Sequence, residues 1–134
     1  MTPLPTRPFN VVLGQVQGPL PFTPRQDADG SIVWEYVVDV AHFNPYGTLH
    51  GGVVMALLDS AMGHVVADAV HAQGRFNAAA QMNVHFLAPI QSGVIHARAR
   101  IQKLGKRLAF VEAHAVDEAG VTVASATATH SLLP

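Results

Sequence analysis

The feature that most constrains this chain is the run of residues 51–70, in which nearly every position is apolar or small. Read at the helical period, Val54, Leu57, Leu58, Ala61, Val65, Ala69 and Val70 recur along one side, as an amphipathic helix requires. Val53, Met55, Met62 and Val66 then fill much of the remaining circumference. A helix that is apolar nearly all round belongs in an interior. The run is long enough to cross a bilayer, but Asp59, His64 and Asp68 interrupt it and make it a poor span. The pattern predicts a buried helix over 51–72, stopped by Gly74, and something must wrap around it.

Strands supply the wrapping. Residues 31–40 are rich in Val, Ile, Trp and Tyr, and residues 77–87 read as a second strand ending before Pro89. Over 94–102, Ile95, Ala97, Ala99 and Ile101 alternate with His96, Arg98, Arg100 and Gln102, the period of a strand with one buried face. Residues 108–116 place Ala109, Val111, Ala113 and Ala115 on one face, and residues 121–131 do the same with Ala124, Ala126 and Ala128. Small side chains let a helix lie close to a sheet. Turns are expected at 27–30, at Gly105-Lys106 and at 117–120. Residues 42–49 hold Asn44-Pro45 and Gly47 and read as a loop. Pro19, Pro21 and Pro24 argue against regular structure between them. Residues 1–8 read as a loose segment, and 9–17 as a helical turn leading into a strand. The expectation is an α+β fold: one domain over 1–134, with a curved, mostly antiparallel sheet of five or six strands around one long central helix.

Composition narrows the function. The formal net charge is −1, which gives no basic footprint for nucleic acid and no polybasic anchor for a membrane surface. There is no cysteine, so disulfides and thiol nucleophiles are excluded. Charged residues make up 13% of the chain, against about 25% in an average soluble domain. So little charge on a small domain implies that part of its surface is covered, and a homo-oligomer is expected. The first residues lack the apolar core of a signal peptide, and a cytoplasmic location is the default expectation.

The chemistry concentrates in residues 42–59. Gly51 and Gly52 fall where loop becomes helix. The first N–H groups of a helix have no internal partner and sit at the positive end of its dipole. Glycine there lets a ligand approach the backbone, so this end can hold the oxygen of a polarised carbonyl. Asp59 is the only carboxylate between Gly51 and Ala67, and on the helical wheel it shares a stripe with Gly52, Met55, Met62 and Gly63. An ionised carboxylate bordered by small and apolar residues can act as a general base or as a nucleophile. Competitors are few: there is no Gly-x-Ser-x-Gly elbow, no phosphate-binding Gly-x-x-x-x-Gly-Lys and no Gly-x-Gly-x-x-Gly. His64, Asp68 and His71 share a helix face, but they read as exposed final turns rather than as a metal site.

Asn44-x-x-Gly47-Thr-Leu-His-Gly-Gly52 followed by Asp59 resembles the hotdog-fold acyl-CoA thioesterases of the phenylacetate-degradation type. The similarity continues through Asn83-Val-His-Phe-Leu-Ala-Pro89 and Gly105-Lys-Arg-Leu-Ala-Phe110. The resemblance implies a hotdog fold, hydrolysis of an acyl-coenzyme A thioester without metal or other cofactor, and homodimers or homotetramers with active sites between two subunits. It implies that the Gly51 N–H polarises the carbonyl and that Asn44 and His50 hold the carbonyl or the attacking water. Asp59 of the facing subunit would activate that water or attack directly. Gly52, Met55, Met62 and Phe86 are the expected acyl-slot residues, and Lys106 and Arg107 are candidates for the coenzyme phosphates. One departure stands out. Similar enzymes often carry serine or threonine near the carboxylate where this chain has Ala79. Two rivals follow: an acyl-CoA-binding protein without turnover, and an enoyl-thioester hydratase or dehydratase using His50 or His85.

Overall fold

The computed structural model describes residues 20–134. The expectations for residues 1–8 and 9–17 lie outside them. In chain order the strands are β1 (Phe22–Gln26) and β2 (Ile32–Val37), then helix α1 (Gly51–Val70), then β3 (Phe76–Phe86), β4 (Val94–Leu104), β5 (Leu108–Val116) and β6 (Thr122–Leu133). Short 3-10 turns stand at Val40–His42 and His71–Gln73. The strands form one sheet in the order β1-β2-β4-β5-β6-β3, and every neighbouring pair is antiparallel. The helix therefore carries the chain from near one edge of the sheet to the other. This is the hotdog arrangement, with α1 as the filling.

Alanine rows explain how the helix fits. Ala97, Ala115 and Ala124 face one another across β4, β5 and β6, with Phe86 of β3 at the end of the row. Ala99, Ala113, Ala126 and Val84 form the next row, and Ile101, Val111, Ala128 and Met82 the third. On the other side of the interface Val54, Leu57, Leu58, Ala61, Met62 and Val66 are buried. Fully burying each of the larger side chains contributes about 1.5–3 kcal/mol. The small side chains of the central strands give the helix the depth to sink.

Both ends of the helix are defined by single residues. At the start, His50 is the cap, and its Nδ1 accepts from the Gly52 N–H at 2.8 Å. At the other end α1 stops at Val70, and a 3-10 turn carries the chain to Gly74 at φ 69°, the left-handed conformation that glycine adopts without strain. The helix is thus slightly shorter than its apolar pattern.

Pro24 corrects the expectation of irregular structure, because it lies inside β1, paired with Trp34. Strand β1 is a sheet edge, where a residue without an N–H is tolerated. His64 is a second correction. It is not on an exposed turn but buried, accepting from the Trp34 indole at Nδ1 over 3.1 Å. Its Nε2 lies 3.6 Å from Asp68. Among the described residues no cluster of His, Asp or Glu could hold a metal ion.

Candidate active site

The loop before the helix is organised by Asn44. Its Oδ1 accepts from the N–H groups of Tyr46 at 2.9 Å and Thr48 at 3.2 Å, and its Nδ2 donates to Thr48 Oγ1 at 2.8 Å. The Asn44 carbonyl also accepts from Gly47 N at 3.1 Å. Gly47 sits at φ 81°, which is why glycine occupies this turn. Asn44 thus uses its side chain largely to hold the loop, while one amide hydrogen remains available to a ligand.

That loop delivers the chain to the helix with its backbone donors already committed, except one. The His50 N–H donates to the His42 carbonyl at 3.0 Å, and Val53 N–H to the His50 carbonyl at 3.0 Å. Gly52 N–H goes to the His50 ring. No described residue accepts from the Gly51 N–H. It is the free donor at the positive end of α1. Because His50 Nδ1 is an acceptor, its neutral ring carries its hydrogen on Nε2, and the exposed residue can donate from there.

The two helix glycines are needed for different reasons. A Cβ on Gly52 would stand 2.9 Å from His50 Nδ1, so glycine lets the cap fold over the helix end. A Cβ on Gly51 would meet the Phe86 ring at 3.2 Å. Asn44, Thr48, Gly51, Val54, Phe86, Pro89 and their neighbours line a groove of about 320 Å³. Phe86 is 54% exposed and available to a ligand.

Asp59 lies elsewhere. It sits in a solvent-open groove of about 350 Å³ with Met55, Ala56, Ala79, Ala80, Gln81 and Met82. A β-bulge between Ala79 and Gln81 shapes this wall. Bulges re-aim side chains and are frequent beside active sites. The two grooves share no lining residue. Eight residues of helix separate Gly51 from Asp59 by about 12 Å along the axis and about 80° around it. One thioester carbonyl cannot touch the N–H and the carboxylate of a single chain.

The remaining expected site residues divide. Met55 lines the Asp59 groove. Met62 has no exposed surface and belongs to the core; on the wheel it borders Asp59, but its side chain turns beneath the helix. Lys106 and Arg107 are exposed on the β4–β5 turn and line neither groove. Residues that sequence reasoning missed include Thr48, which braces Asn44, and Gln81 and Met82 beside Asp59. Asn77 and His130, hydrogen-bonded to each other over 2.8 Å, also escaped it, since no spacing links residues so far apart.

Comparison with known proteins identifies the family and the fold. The profile of the thioesterase superfamily matches residues 46–124. Human acyl-coenzyme A thioesterase 13 is 31% identical over 114 residues, covering 84% of this chain and 76% of its own. A Caenorhabditis elegans protein named as an esterase is 32% identical over 90 residues, 66% of this chain, and the alignment spans only 52% of its length. Among solved structures, the phenylacetic acid degradation-related protein of Ralstonia eutropha JMP134 is 31% identical with a TM-score of 0.76, covering 97% of this chain and 92% of that one. A Bacillus halodurans protein crystallised with CoA shares the fold at a TM-score of 0.83 and 24% identity, over 92% of this chain and 86% of that one. The fold defines a hotdog protein. The chain belongs to the thioesterase superfamily.

Proposed function

We propose that this protein hydrolyses acyl-coenzyme A thioesters to a free acid and coenzyme A, at sites formed between two copies of the chain. The observation that carries the reading is the unpartnered Gly51 N–H at the start of α1, with Asn44 and His50 around it. Such a donor stabilises the oxyanion that forms when water attacks the thioester carbonyl. Asp59 from the facing copy acts as general base, because its groove is open to solvent and brings water to the carboxylate. The separation of Gly51 and Asp59 within one chain supports a site built by two. The acyl group lies against Met55 and Phe86, and the exposed cations Lys106 and Arg107 meet the coenzyme phosphates. Aryl-acetyl, benzoyl and medium-chain groups are all candidate acyl groups.

The test is thiol release from a panel of acyl-CoA esters followed with a thiol-reactive chromophore, to which this cysteine-free chain contributes no background. Release by the wild type and its loss by about 10²–10⁴ in Asp59→Asn, with folding and assembly retained, is the expected result. Near-normal release by the variant would overturn the role of Asp59. A monomer in light scattering would overturn the two-copy site.

A further inference from the structure

His130 lies on β6 with its side chain only 1% exposed, on the sheet face toward the helix. Its Nδ1 is 2.8 Å from Asn77 Oδ1. The other end of that amide fixes its orientation, since Asn77 Nδ2 donates to the Gly63 carbonyl at 3.3 Å. Asn77 Oδ1 therefore accepts, and His130 Nδ1 carries the hydrogen. Burial holds the ring neutral, against the pull of the negative charge on Asp59. In that tautomer Nε2 is a bare acceptor, and no described residue donates to it. Buried polar atoms are seldom left so.

Two further features place this ring close behind the wall of the Asp59 groove. Ala79 is the cross-strand partner of His130 and lines the Asp59 groove. Gly63, to which Asn77 is bonded, lies one helical turn beyond Asp59 on the same stripe. The other residues brought to the pair are uncharged: Asn77 and Ala79 on β3, Gly63 on α1 and Ala109 on β5.

We propose that His130 is a positioning residue for Asp59, its bare Nε2 accepting the hydrogen of the Asp59 carboxyl once that group has taken a proton from the attacking water and turned in toward the ring. The inference rests on the general-base reading given above. In that reaction a water O–H bond breaks, the proton goes to Asp59, and the water oxygen bonds to the thioester carbon. The carbonyl electron pair moves to the oxygen held by Gly51. Collapse then re-forms the carbonyl and breaks the C–S bond, and the proton on Asp59 passes to the departing sulfur. Between these events Asp59 is a neutral acid and needs an acceptor. Among the side chains lining its groove only Gln81 carries a hydrogen-bonding group, and that residue is exposed.

Two substitutions separate this role from packing. In His130→Asn the amide can still donate to Asn77 but places nothing at the Nε2 position. In His130→Gln an amide oxygen can stand where Nε2 stood, while the bond to Asn77 is lost. The expected result is a fall in kcat of about 10- to 100-fold in His130→Asn with KM unchanged, and substantial recovery in His130→Gln. Wild-type kcat in His130→Asn, or the reverse order of the two variants, would overturn the proposal. Should both variants fail to fold, nitrogen NMR of the wild-type imidazoles decides. An unprotonated His130 Nε2 whose signal changes in Asp59→Asn supports the pairing, and an unchanged signal refutes it. Asp59→Asn assayed in parallel keeps the two readings apart: turnover in that variant sinks the base itself, whereas its loss beside a fully active His130→Asn sinks only the role of His130.

Discussion

Two grooves lie along the same helix, yet the groups they present are held in different ways. The donor of the helix-end groove is presented by neighbours in sequence, since Asn44 ties down residues 44–48 and His50 caps Gly52 two residues on, while residues 86–90 and Val123 close the groove from far along the chain. The Asp59 groove is made by strangers. One wall is a turn of α1, and the other is β3, whose bulge is set by pairing with β6. The first groove offers a donor and the second a base. A hydrolase needs both, and the length of helix between them keeps them apart within one chain.

The sharpest way to break this comparison is to disable one groove in each of two samples. Gly51→Pro removes the free N–H, while proline at the first helical position suits the helix and the extended backbone of His50 (φ −62°, ψ 131°) suits a following proline. It should lower kcat by about 10²–10³. Refolding it with an equal amount of Asp59→Asn should then restore roughly a quarter of wild-type turnover, because half the dimers are mixed and each mixed dimer holds one intact site. No recovery would show that each chain works alone.

A smaller effect is expected from the loop that presents the donor. Asn44→Ala removes the bonds to Tyr46, Thr48 N and Thr48 Oγ1, and should cost about 1 kcal/mol in thermal or urea unfolding. It should also lower kcat/KM by about tenfold, or about 1.4 kcal/mol of transition-state stabilisation. An equal loss from Ala79→Gly, in the other groove, would erase the contrast between local and non-local construction.

The smallest effect is on stability against pH. Burial depresses the pKa of both His64 and His130 in the folded protein, with Asp68 and Asp59 respectively opposing the shift. Each ring binds its proton more readily when unfolded. Stability is therefore complete above the unfolded value of about 6.5 and declines as pH falls from there toward the folded values. Urea midpoints measured between pH 7 and pH 5 should drop, and should drop less in a folded His130→Asn variant. A flat profile would place both rings in water.

Much of the fold was legible because apolar periodicity reports burial directly. The strand β5 is found where alternation placed it, and the alanines of β5 and β6 face the helix as expected. Pro24 misled because its tolerance depends on lying at a sheet edge, which is a property of strand order. His64 misled because its partner, Trp34, lies thirty residues away. Met62 and Met55 could not be told apart on a helical wheel, since which flank of the stripe sinks into the core depends on how the helix is rolled against the sheet.

By itself, the sequence determined the buried helix, the strands around it, the glycines at the helix start and the isolated carboxylate two turns later. These are local matters, set by side-chain size, backbone freedom and the period of each element. Only the tertiary structure decided that the Gly51 N–H finds no acceptor among the described residues, that Asp59 lies in a separate groove, and that His130 keeps an unpartnered nitrogen on the helix side of the sheet. Those outcomes follow from which strands become neighbours and in what register. Cross-strand pairing joins residues such as Ala79 and His130 through hydrogen bonds between backbones, and backbones carry no trace of side-chain identity along the chain.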